Sequence, residues 1–94
     1  MEEKILTKHP QGKRGFRISK NKYETIRRAI RESLRGKGDL THTELTRSIQ
    51  ENPAVKLQGY LEWYVEVVKL DLEARKEIER VSNVKPPVYR LRGR

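Results

Sequence analysis

A chain of 94 residues carrying a net charge of +9, with 37% charged against 34% apolar residues, bounds a single domain with a modest core. No cysteine is present, which excludes a disulfide framework, thiolate chemistry and cysteine-ligated zinc. No apolar run approaches the roughly 18 residues needed to span a bilayer and the charged start is not a signal peptide, so a soluble, cytoplasmic protein with acidic partners, nucleic acid first, is expected.

Residues 1–22 carry seven Lys/Arg against two Glu. Two short apolar pieces, Lys4-Ile5-Leu6-Thr7 and Gly15-Phe16-Arg17-Ile18, flank His9-Pro10-Gln11-Gly12-Lys13-Arg14, whose proline and glycine mark a loop. The flanks read either as two short strands or as an arm laid across the domain, and residues 1–18 are set apart as a basic N-terminal arm. Lys13, Arg14, Arg17 and Lys20 are candidates for phosphate contact, against the plainer reading of a solvated arm.

Ser19 is placed to cap the first helix, where Tyr23, Ile26, Ile30 and Leu34 recur at helical spacing until Gly36. The outer face holds Arg27, Arg28, Arg31 and Arg35. Glu24 and Glu32 lie four residues either side of Arg28, so Arg27 and Arg31 are expected to be less neutralised. Leu40 suits a very short strand. Thr41-His42-Thr43-Glu44 has the form of a capping box, Leu45 and Ile49 give the second helix its buried face, and Asn52-Pro53 ends it. The segment to Gly59, with Lys56 and Gln58, is a turn.

From Gly59 the period is again helical. Leu61, Val65, Val68 and Leu72 share one face, widened by Tyr64, Val67 and Leu70. Beyond Arg75, Ile78 and Val81 flank a charged pair, Ser82-Asn83 turns the chain, and Val88 to Arg92 alternates Tyr89 and Leu91 with arginines. These are two short strands, with Lys85 at the tip between them. A mainly helical α+β domain of three helices plus a C-terminal β-hairpin follows.

This order of elements resembles the winged helix-turn-helix over residues 19–92. LTHTELTRSI is similar to the second helix of winged-helix regulators, and LDLEARKEIERV to the end of their third helix and the start of the wing. Lys76-Glu77 stands where many members have glycine. The chain as a whole also resembles a small uncharacterised winged-helix-like family, a domain of unknown function, which supplies a fold and no activity.

The resemblance implies that the third helix enters the major groove while the wing touches the backbone. On that helix Glu62, Glu66, Lys69 and Glu73 form the exposed stripe, with Trp63 beside it. Residues 59–75 hold four acidic against two basic residues. Such a stripe opposes phosphates, so base reading is disfavoured and contact is expected through charge held elsewhere. The candidates are Lys13, Arg14, Arg17, Lys20, Lys56, Gln58, Lys69, Lys85, Arg90 and Arg92, with Arg94 extending the row.

Three functions stay open. The first is a DNA-binding winged helix, with transcription regulation as its setting, that grips the duplex backbone. The second is a protein-interaction module using Tyr60, Glu62, Trp63 and Glu66, or a homodimer formed through the arm. The third is an RNA- or ribosome-associated module. Trp63 discriminates: its spacing puts it at the edge of the apolar face, where core packing is expected, and an exposed Trp63 would favour a protein partner. His9 and His42 lack the companion ligands a metal needs, and the carboxylates sit among lysines and arginines. No enzyme activity, cofactor or metal is expected.

Overall fold

The computed structural model describes residues 3–56 and 59–92. Its elements in chain order are β1 (Lys4–Leu6), β2 (Arg17–Ser19), α1 (Lys20–Lys37), β3 (Leu40–Thr41), α2 (His42–Gln50), α3 (Leu61–Ala74), β4 (Ile78–Val81) and β5 (Val88–Leu91). The fold is mixed α+β: three helices, an antiparallel two-stranded ribbon and a three-stranded antiparallel sheet in the order β3-β5-β4. This arrangement is compatible with a winged-helix-like domain. The β4–β5 hairpin, the element expected as a wing, is joined along β5 by the short strand that precedes α2.

Local chemistry sets each boundary. Ser19 accepts from the Lys22 amide at the start of α1. The helix runs one residue past the glycine expected to end it. It closes at Gly38, whose φ of 83° is open to glycine and whose amide donates to the Leu34 carbonyl. Arg35 and Lys37 occupy its last turn, where cations oppose the helix dipole. At α2 the capping box forms in full: the Glu44 amide donates to Thr41 Oγ1 at 3.1 Å and the Thr41 amide to Glu44 Oε1 at 2.9 Å.

The end of α3 is a Schellman turn. The Glu77 amide donates to the Leu72 carbonyl and the Lys76 amide to that of Glu73, while Lys76 takes a φ of 66°. The position that commonly carries glycine therefore keeps its left-handed geometry here with a lysine in it.

The core gathers Ile26 and Ile30 of α1, Leu45 and Ile49 of α2, and Val65, Val68 and Leu72 of α3, all fully buried, with Ile78 and Tyr89 of the wing. α1 is the central element, touching α2, α3, β5 and the ribbon. Ser33 and Ser48 share a buried hydrogen bond of 2.8 Å where α1 crosses α2.

The N-terminal segment is a hairpin fastened to this body. β1 and β2 pair in the register Ile5↔Ile18, with Ile18 buried and Ile5 packed against the core. Past the ribbon the two branches stay in contact: the Thr7 amide donates to the Phe16 carbonyl, and the Phe16 amide to Thr7 Oγ1. Between them the chain passes so close that a Cβ on Gly15 would lie 1.8 Å from the Thr7 carbonyl oxygen. Of the two readings left open by the sequence, paired strands and a packed arm, the structure combines both; the second strand starts at Arg17, two residues later than the apolar piece suggests.

Candidate nucleic-acid interface

The exposed stripe expected on α3 is only partly exposed. Glu62 points to solvent, Glu66 is half-buried and Glu73 is mostly covered. Lys69 does not belong to it: the residue is 2% exposed and cannot reach a nucleic-acid backbone. Its aliphatic stem runs inward and its ammonium lies 4.2 Å from the centroid of the Tyr89 ring. The same Nζ donates to Glu66 Oε1 at 2.9 Å and to His42 Nδ1 at 3.0 Å.

An ammonium has no lone pair, so His42 accepts through Nδ1 and is neutral in this contact. Burial and the Lys69 charge hold its pKa below the ordinary 6.5, against the opposing pull of Glu66 and Glu62. His42 is thus a half-buried member of the α2–α3 contact.

Asp71 is the polar centre that sequence reading passed over. It is fully buried, and the Lys8 amide donates to its Oδ1 at 2.8 Å. The Tyr23 hydroxyl donates to Oδ2, and Arg75 Nε reaches both oxygens at 2.9–3.0 Å. Every donor comes from a different segment: the N-terminal hairpin, α1 and the end of α3. Burial first, then the hydrogen bond to Asp71, pushes the Tyr23 pKa well above its ordinary value. The bond to Asp71 likewise raises that of Arg75. A signal existed, since an acid inside the apolar face four residues before an arginine is unusual on a solvated helix.

The arginines of α1 depart from expectation too. Arg27 and Arg31, expected to be the less neutralised pair, both grip Glu77 Oε1, through Arg27 Nη2 at 2.9 Å and Arg31 Nη1 at 3.3 Å. Glu77 is positioned by the turn at Lys76 and bridges α1 to the start of the wing. Arg28 and Arg35 stay exposed, with no ion pair among the described residues. Arg31 and Arg35 line one shallow depression with Leu91 and Arg92, so the end of the wing strand continues the cationic face of α1.

Other candidates are scattered. Arg90 is held by Glu79 at 2.6 Å across the wing, which raises its pKa, and Lys20 pairs with Glu3 at 3.4 Å. Lys56 is exposed and borders a hollow with Asn21, Lys22 and Thr25. Lys85 is exposed in the turn of the wing. Gln58 and Arg94 lie outside the described residues.

The hairpin loop meets α3 directly. His9, Gln11 and Lys13 share a depression with Glu66, Leu70, Glu73 and Arg80. Part of the acidic stripe therefore faces this chain's own basic loop. On the same hairpin, Arg14, Arg17, Phe16 and Leu6 surround a second hollow. Phe16 makes an edge-on contact with Trp63, ring centroids 5.3 Å apart, and Trp63 makes another with Tyr64 at 5.1 Å. Trp63 is 41% exposed, so it is not the core residue its spacing suggests. Tyr60, at the start of α3, is almost wholly exposed in a left-handed conformation, φ 54°.

No group of His, Asp and Glu among the described residues could hold a metal ion, and no described helix is long and apolar enough to cross a membrane. Residues 4–89 match the profile of a family of unknown function (DUF6958), and the chain belongs to that family. No curated protein and no solved structure matches it.

Proposed function

We propose that this family member is a winged-helix protein that binds nucleic acid, duplex DNA foremost, through the sugar-phosphate backbone rather than by reading bases with α3, and that it serves as a transcriptional regulator. The observation that carries this reading is the joined arginine face. Arg28 and Arg35 of α1 and Arg92, just past β5, are exposed; Arg28 and Arg35 share one depression with Arg31, Glu24 and Glu32, and Arg31 and Arg35 share the adjoining one with Leu91 and Arg92. A chain of net charge +9 that places cations there, while α3 keeps its glutamates and turns Lys69 inward, suits phosphate contact without sequence readout. The order α1, β3, α2, α3, β4, β5, with β3 added to the hairpin, supports the winged-helix assignment.

The test is fluorescence anisotropy of a labelled random-sequence duplex over a salt series. Replacing Arg28, Arg35 and Arg92 together by Gln should weaken binding equally for unrelated sequences. It should also lower the slope of log K against log salt by about 0.9 for each phosphate that is no longer neutralised. Wild-type affinity in the triple variant would move the interface elsewhere. Absence of binding to duplex, single strand and structured RNA at low salt would leave the protein-interaction reading, which the exposure of Tyr60 and Trp63 favours.

A further inference from the structure

The aromatic corner where the N-terminal hairpin meets the start of α3 is a second surface, separate from the arginine face. Phe16 is 50% exposed and Trp63 41%, large values for rings that touch each other. Leu6, also exposed, borders the hollow beside Phe16. Both ring contacts are edge-on, with interplanar angles of 69° and 82°, so the rings are fixed in orientation without a parallel stack between them.

The cluster is also rimmed by cations. Arg14 and Arg17 line the hollow with Phe16, and Lys22 of α1 sits 5.5 Å from the centroid of Tyr64. Its placement is rigid. The Phe16 amide and carbonyl are both bonded to Thr7, and the next backbone group along, the Lys8 amide, is tied to buried Asp71. Trp63 stands in the first turn of a helix whose next turn enters the core.

From this juxtaposition we propose that Phe16 and Trp63 form a stacking platform for unpaired bases of a single-stranded nucleic acid, with Arg14, Arg17 and Lys22 holding the adjacent phosphates. Bases offer flat π-faces and a regularly charged backbone, and preorganised rings flanked by cations satisfy both at once. An acidic peptide would use the cations but leave the two half-exposed rings without matching flat partners. The proposal rests on the reading that the partner is nucleic acid, and adds to the duplex-binding arginine face a second surface for unpaired bases.

The chain has one tryptophan, so emission excited selectively at tryptophan, beyond the tyrosine absorption band, reports this corner alone. A thymidine oligonucleotide of about 12 nucleotides, within the span one such surface covers, is titrated into the full chain while Trp63 emission is followed, and a blunt duplex is titrated in parallel. Anisotropy of the labelled strands measures binding independently of the tryptophan.

The single strand should quench Trp63, and the duplex should bind with little change in emission. Phe16→Ala and Phe16→Leu should each weaken single-strand binding by at least about fivefold and leave duplex binding unchanged, whereas Phe16→Tyr, which keeps the ring, should restore it. Equal losses for Tyr and Leu would mean that Phe16 acts by packing, and would overturn the platform. Binding of both strands by anisotropy with Trp63 undisturbed would overturn the platform alone and leave the aromatic corner to a protein partner. No binding of either strand by anisotropy would overturn the nucleic-acid reading itself.

Discussion

Two single residues hold conformations or charge states that their sequence context does not announce. Lys76 keeps a φ of 66° at the end of α3. A left-handed non-glycine residue costs about 1–2 kcal/mol, while glycine there would give back roughly 0.5–1 kcal/mol in backbone entropy. Lys76→Gly should therefore leave stability unchanged or raise it by up to about 1 kcal/mol, read as the urea midpoint. A clear loss would mean the lysine side chain stabilises the turn. His42 is the other case. Its folded-state pKa lies below 6.5, so below that pH the unfolded chain takes up the proton first. Its contribution is complete above pH 6.5 and declines as pH falls from there toward the folded value. Thermal melts between pH 7.5 and 5 should show a steeper acid-side loss for wild type than for His42→Gln. Parallel curves would place the titration elsewhere.

At the scale of elements, what is readable and what is not divides by the range of the interaction. The caps at Ser19 and Thr41, the strand at Leu40 and the two wing strands follow from neighbours a few residues apart. The hairpin's attachment does not, because its acceptor, Asp71, lies 63 residues beyond Lys8. Periodicity places Asp71 on α3 without indicating that it faces inward among three donors. Asp71→Ala strands the Tyr23 hydroxyl, the Lys8 amide and the Arg75 guanidinium together. It should cost about 3 kcal/mol or more by urea denaturation, against about 1 kcal/mol for loss of the exposed cap in Thr41→Ala. Similar midpoints for the two variants would contradict the central place given to Asp71.

For the whole molecule, net charge is legible and its distribution is not. The composition says that cations outnumber anions; which of them face outward depends on tertiary contacts. Lys69 is drawn in by Tyr89 and His42, Arg27 and Arg31 are drawn together by Glu77, and Arg90 is occupied by Glu79. Each pairing joins residues from different elements, so no local window reveals it. What stays outward is the arginine face of α1 and β5, the hairpin and the wing tip. The candidates of the sequence divide accordingly: Arg92, Arg14 and Arg17 lie in surface depressions, whereas Lys69 is withdrawn from the surface altogether.

The tie between Lys8 and Asp71 also predicts an order of events in folding. The carboxylate becomes a useful acceptor only after α1 has brought Tyr23 against α3, since before that meeting it is simply a hydrated acid. The hairpin, joined across 63 residues, is then expected to close onto a body already assembled, with its contacts on the late side of the barrier. Gly15→Ala, which forces the crossing with Thr7 apart, should accelerate unfolding while leaving the refolding rate within about twofold. Stopped-flow chevrons that show slowed refolding instead would make the first residues of the chain part of the nucleus.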